Sequence, residues 1–358
     1  MDFELFNFSL PDYYLKANLT ELLPKLNEYF GSEKIFNSEE EALIILIYIL
    51  LSILGVISNL FIMYVIFKLK KLGTAVNMLV INLNLSDILL CVVCMPITLV
   101  QILRRHWSFG LLICKSVAFV QGITVFVSAM TISAIAILRL LIITSGQRKL
   151  KQLNERRILL ISLIWIIAGL LSLPVSINHS DVEIKVAGVY LYNRCLETWS
   201  LEAKTWFSFI TLIFQLIMPT SLLVTCHLKI KFHLRETSRN NSSGRDALND
   251  AFKESRERNE RALANLFRVW LAFLLSWLPW NVINLYFDYT ADSNLTSQEL
   301  YSLFAGCHLV AMSSATTNAI LYGWLNTNIK NEISLVKHKL ISCFRRARQP
   351  KEISETPV

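Results

Sequence analysis

The sequence predicts an all-α membrane protein: a bundle of seven transmembrane helices followed by a short amphipathic helix. Three observations predict it. Seven apolar runs are each long enough, at ~1.5 Å per residue, to cross a ~30 Å hydrocarbon core. Hydrophobic residues make up 54% of the 358, more than a soluble domain of that length usually carries. Lysines and arginines gather between alternate runs, as they do in cytoplasmic loops. The formal charge of +8 is therefore spread along the chain and does not form a nucleic-acid patch. Seven cysteines scattered along the chain suggest neither a disulfide framework nor a zinc site.

Four regions follow: a tail at 1–42, the bundle at 43–325, a membrane-surface helix at 326–344 and a C-terminal tail at 345–358. The first tail is acidic, with nine Asp or Glu against three Lys. No short apolar segment follows a basic start, so the first span is expected to act as the targeting signal. Asn7 and Asn18 open glycosylation sequons, meaningful only if this tail is extracellular.

Span one, about Leu43 to Phe67, is followed by Lys68, Lys70 and Lys71 with no acid, which predicts an outer N-terminus. Span two, about Val76 to Leu103, holds Asn82, Asn84, Asp87 and Pro96; an ionisable group at that depth is a functional candidate. Span three, within Leu111 to Ile143, runs without a charge from Ser116 to Leu138. Gln121, Thr124, Ser128 and Thr131 form a polar stripe on it, and Gly122, Ala129, Ser133, Ala134 and Ala136 keep other faces slim. Small residues allow close helix approach in lipid, so this helix is expected near the bundle centre. Gln121 and Arg139 share a face about five turns apart, at opposite ends of the membrane.

Arg148, Lys149, Lys151, Arg156 and Arg157 against Glu155 predict another cytoplasmic loop before span four, Ile158 to about Ile177. The outer loop from Asn178 to Lys204 contains Cys195, and Cys114 lies at the outer end of span three. A bridge between them is the simplest pairing in an oxidising compartment. Span five, about Trp206 to His233, carries Gln215 and Pro219, and a mixed-charge loop is expected from Leu234 to Arg258. Span six, about Ala262 to Phe287, contains Trp277 and Pro279 and ends near Asn284 and Asp288; the proline should kink it. Span seven, about Leu300 to Leu325, holds His308, Ser313, Ser314, Thr316, Thr317, Asn318 and Tyr322. Ile329, Ile333, Val336, Leu340 and Phe344 then space an amphipathic helix, with Cys343 as a palmitoylation candidate. The chain closes on Thr356-Pro357-Val358, a short match to ligands of PDZ domains.

In order along the chain stand Asn59, Leu85-Ser86-Asp87, Trp107-Ser108-Phe109-Gly110, Cys114, Arg139, Trp165, Pro219, Trp277-Leu278-Pro279, Asn318 and Tyr322. With these residues the chain resembles a rhodopsin-like (class A) G-protein-coupled receptor over about Leu43 to Phe344. The resemblance implies no enzymatic activity. It assigns activation and G-protein coupling to Arg139, Trp277, Pro279, Asn318 and Tyr322, and a possible sodium site to Asp87, Ser128 and Asn318. Gln121 stands where amine receptors have an aspartate, and span seven has no lysine for a retinal Schiff base. Gln121 with Thr98, Gln215, Asn284, Asp288 and His308 is similar to the pocket of neuropeptide Y and neuropeptide F receptors. That similarity implies a ligand ending in an arginine and an amidated aromatic residue, with Asp288 pairing the arginine. The implied partners are this peptide, an inhibitory-type heterotrimeric G protein, arrestin and membrane lipid, at the plasma membrane.

Three positions depart from the pattern. Leu138 replaces the acid before Arg139, Ala319 replaces the proline after Asn318, and Ser276 replaces the cysteine before Trp277. The first two touch the activation machinery, so a peptide-binding decoy is an alternative reading. A transporter or channel would carry internal repeats and paired Gly/Pro-broken spans, and the sequence has neither.

Overall fold

The computed structural model describes residues 35–325, with breaks at 71, 105, 145–146, 187–188, 241–245 and 290–296, and residue 334. The sequons at Asn7 and Asn18, the amphipathic helix 326–344 with Cys343 (Ser334 apart), and the tail ending in Val358 lie outside the described residues.

Seven long helices form the bundle. Helix α1 is Ser38–Lys68, and the Asn37 N–H at its start donates to the Glu40 carboxylate at 3.2 Å. Helix α2 covers Ala75–Leu103 and α3 is Gly110–Thr144. A short helix, α4, occupies Gln147–Glu155 ahead of α5 at Arg157–Ile177. Strands β1 (His179–Val186) and β2 (Val189–Glu197) pair antiparallel, with Cys195 opposite Asp181. Helix α6 begins at Leu201–Leu212 and continues through Met218–Asn240. Helix α7 is Asp246–Tyr289 and α8 is Ser297–Leu325. Six of these helices are long and apolar enough to cross a membrane by length and composition.

Burial identifies the centre. In its most apolar stretch α2 is 61% buried and α3 56%, against 17% for both α1 and α5. The expectation that span three is central therefore holds, with α2 beside it. Side-chain size explains the packing. A Cβ at Gly122 would stand 2.9 Å from Ser172 Oγ, so glycine lets α3 and α5 touch. At Gly55 it would meet Cys91 Sγ at 2.6 Å, which fixes the approach of α1 to α2.

Buried polar groups stitch the helices together, because lipid offers them no partner. Asn59 Nδ2 donates to Ala315 O at 3.0 Å, joining α1 to α8. Asn82 accepts from Trp165 Nε1 at 2.7 Å and donates to Thr131 at 2.9 Å, joining α2, α5 and α3.

Three expectations are corrected. The outer loop after α5 is a β-hairpin. Its first strand alternates Val182, Ile184 and Val186 with Asp181, Glu183 and Lys185, a period-two pattern that identifies a strand. The region expected as a loop from 234 to 258 is helical at both edges, since α6 reaches Asn240 and α7 starts at Asp246. The loop after α3 contains α4, whose Asn154 Oδ1 accepts from the Ala75 N–H at 2.8 Å and caps α2. Two helices also contain π turns, at Leu90–Cys94 in α2 and Ile213–Ile217 in α6. The wider turn frees carbonyls, and Ser52 Oγ on α1 donates to one of them, Cys91 O, at 2.9 Å.

Candidate functional site

The bundle opens at its hairpin end into a cavity of about 320 Å³. Thr98, Gln121, Gln215, Asn284 and His308 all line it, with Trp277 among the wall residues. Five of the six expected ligand residues thus come together from α2, α3, α6, α7 and α8. The sixth, Asp288, falls within α7 by its backbone, and its side chain lies outside the described residues.

The hairpin forms one wall and is held on three sides. Cys114 and Cys195 are bridged, as expected, with Cα atoms 5.6 Å apart. Gln101 Nε2 on α2 donates to Cys195 O at 3.2 Å, and the Trp107 N–H donates to Asn193 O at 2.8 Å. Trp107 Nε1 reaches Gly110 O at 3.0 Å, which helps pack the indole against the bridge. Gly110 takes φ +72°, a left-handed conformation that glycine adopts without strain. From the hairpin, Arg194 sits 4.9 Å above the Tyr301 ring of α8.

The wall is mostly apolar, with neutral polar side chains set into it and charged residues of the hairpin side among them. Glu197 on the hairpin lies 3.7 Å from Lys204 and 3.9 Å from His179. Burial would push its carboxyl up, but the positive charges around it, His179 and Lys204 among them, outweigh that and hold it well below the usual range. That carboxylate is therefore already matched by cations at the cavity edge.

The cavity also holds polar atoms without partners among the described residues. Gln215, seated in the π turn of α6, accepts from Asn281 Nδ2 at 3.4 Å, which leaves its own Nε2 unpaired. Trp199 Nε1, Thr211 Oγ1 and His308 Nε2 are likewise unpaired, and all four residues line the cavity. Leaving such a group buried and unmade costs about 1–3 kcal/mol, which a bound ligand carrying acceptors would recover. Below them, Trp277 donates to Ser314 Oγ at 3.1 Å and packs on Phe273, with ring centroids 6.2 Å apart. Sequence reasoning missed Trp280, Asn281, Trp199, Arg194 and Lys204 as lining residues. Aromatic rings and isolated amides are common in membrane helices, so nothing in the sequence singled these out.

Deeper in the bundle Asp87 is 2% exposed. Asn318 Nδ2 donates to Asp87 Oδ2 at 3.4 Å, and Ser128 Oγ lies 3.5 Å from Asp87 Oδ1. The three sodium-site candidates therefore meet, and Asn318 Oδ1 has no partner among the described residues.

At the opposite end Arg139 is half-buried and makes no ion pair among the described residues. Leu138 beside it is buried in the main apolar core. Glu257, on the same end of α7, pairs with Arg261 at 2.7 Å, one turn along its own helix. Ala319 is buried, and α8 runs unbroken past it to Leu325.

Residues 58–322 match the family model described as "7 transmembrane receptor (rhodopsin family)". The chain belongs to the rhodopsin-like (class A) G-protein-coupled receptors, in their neuropeptide Y and neuropeptide F receptor family. Among relatives, it is 32% identical to the neuropeptide Y receptor type 6 of Mus musculus, over 83% of this chain and 80% of that one. It is 30% identical to the human neuropeptide Y receptor type 2, over 87% of this chain and 80% of the relative. With the neuropeptide F receptor of Drosophila melanogaster it shares 29% identity over 86% of its own length, spanning 65% of the fly protein. It is a multi-pass membrane protein of a receptor family that is not enzymatic.

Proposed function

We propose that this protein is a plasma-membrane receptor for an amidated neuropeptide ending in arginine and an aromatic amide, with its N-terminus outside the cell. Peptide binding at the hairpin end would favour an outward swing of the inner part of α7 about Pro279, exposing Arg139 to an inhibitory-type G protein. One observation carries the reading: a largely apolar cavity where five matched polar residues converge above Trp277, with unpaired donors on its wall. Peptide carbonyls would satisfy those donors, and Asp288 would meet the ligand arginine. The relatives' names, neuropeptide Y and neuropeptide F receptors, support the ligand class.

Asp87, Ser128 and Asn318 would hold a sodium ion: their oxygens suit a hard cation, and Asn318 Oδ1 is a buried acceptor without a partner among the described residues. Such an ion would neutralise the Asp87 carboxylate in the core.

The test is binding of labelled amidated Arg-Phe and Arg-Tyr peptides to cells expressing the chain, read together with G-protein nucleotide exchange. Absence of saturable binding for both peptides would overturn the ligand reading. Leu138 and Ala319 favour a second reading, a decoy; binding without exchange is its signature.

A further inference from the structure

We propose that Tyr48, a residue outside the cavity, makes His308 a hydrogen-bond donor to the ligand by fixing which ring nitrogen carries the proton. The inference rests on the cavity being the peptide site.

Tyr48 lies on α1, is 2% exposed, and does not line the cavity. Its hydroxyl is 2.7 Å from His308 Nδ1. The two rings stack with centroids 5.9 Å apart, and the Trp280 ring meets His308 nearly at right angles at 5.4 Å. The imidazole is thus clamped between α1 and α7, with little freedom to turn over. Its contacts among the described residues are a phenol and an indole, with no carboxylate, so a charged ring would be uncompensated.

A neutral imidazole carries one proton, and two arrangements fit the 2.7 Å bond. In the first, Tyr48 donates to Nδ1 and the proton sits on Nε2. In the second, Nδ1–H donates to Tyr48, and the phenolic proton must go elsewhere. Tyr48 makes no other hydrogen bond among the described residues. The second arrangement therefore strands an O–H inside the apolar core, where no ligand can reach it. The first leaves only Nε2–H unpaired, on a ring that lines the cavity. The first arrangement thus leaves one buried group unmade and the second leaves two, the Tyr48 O–H and the bare Nε2, each at a cost in free energy; only in the first is the unpaired donor one that a ligand can satisfy.

Gln215 across the cavity is oriented in the same sense. Asn281 donates to its oxygen, so its free end is Nε2. Two walls then present N–H groups, and the ligand must offer an acceptor, such as a backbone carbonyl, to each. Tyr48 is a positioning residue: it acts through His308 without touching the ligand.

The test is a double-mutant cycle in full-length receptor, with an epitope tag to count surface copies. The probe is an amidated Arg-Phe or Arg-Tyr peptide, whichever binds the unmodified chain. A His308→Gln side chain carries its donor without needing a tautomer. Tyr48→Phe is expected to weaken binding about tenfold with His308 in place and less than about twofold in the His308→Gln background. Equal losses in both backgrounds would make Tyr48 a packing residue and overturn the inference. So would an unchanged affinity in Tyr48→Phe alone. A peptide-free arm uses ring nitrogen-15 spectra of histidine-labelled receptor in lipid nanodiscs, with His308→Gln identifying the signal. The Nε2–H form is expected, shifting toward Nδ1–H in Tyr48→Phe; an Nδ1–H ring in the unmodified chain overturns the inference. If the ring is Nε2–H and neither peptide binds, the tautomer is supported and the peptide reading alone fails.

Discussion

At the scale of single residues, the legible part of the site was the part that violates lipid chemistry. Thr98, Gln121, Gln215, Asn284 and His308 interrupt apolar helices, and they meet in one cavity. Tyr48 and Trp280 were silent in the sequence because a tyrosine or tryptophan in a membrane helix usually only packs. Gln215 lends itself to a direct test. Its Nε2 is unpaired and its oxygen already occupied, so Gln215→Leu should weaken peptide binding about tenfold, or ~1.4 kcal/mol, in a competition assay. An undiminished affinity would remove Gln215 from the contact set. Asp288→Ala should cost ~2 kcal/mol or more, roughly thirtyfold. Replacing the peptide arginine by citrulline should cost as much, and the two losses should not add.

At the scale of elements, helix identity was written in hydropathy, while helix edges and the hairpin were not. The hairpin alternates faithfully along β1, yet it sits in a stretch whose polarity also suits a loop, and tertiary ties decide between the two. Those ties yield a prediction. Cys114→Ser and Cys195→Ser should each abolish surface peptide binding, and the double variant should be no worse than either. Helix spacing yields another. Gly122→Ala would push a methyl to within 2.9 Å of Ser172 Oγ, so it should reduce surface expression. Ser172→Gly, by vacating that space, should restore it. No rescue would mean that α3 and α5 are spaced by something else.

At the scale of the whole molecule, the sequence revealed the departures but not their surroundings. Leu138 merges with the core, and Arg139 lacks an ion pair among the described residues. The acid that normally restrains such an arginine is replaced by apolar packing, which should loosen the inactive state. Ala319 acts the other way by supplying a backbone donor that proline lacks, a difference of up to ~3 kcal/mol in helix preference. The first effect should dominate because it acts on Arg139 itself. Basal nucleotide exchange should therefore be measurable, lowered by Leu138→Asp and raised by peptide. Sodium should also matter to the whole bundle: replacing it by a bulky cation should change peptide affinity in the unmodified chain and not in Asp87→Asn. Equal salt responses would remove the ion from the mechanism.

The bridge between Cys114 and Cys195 spans 81 residues, and between its ends the chain crosses the bilayer twice, through α3 and α5. The two thiols reach the same side only if both crossings are made during insertion. A skipped or added crossing would leave them in different compartments, where no oxidase could join them. The bond is thus also a record of biogenesis. Chains that carry it have counted their spans correctly through the first half of the bundle, and those that lack it have no pocket wall to display.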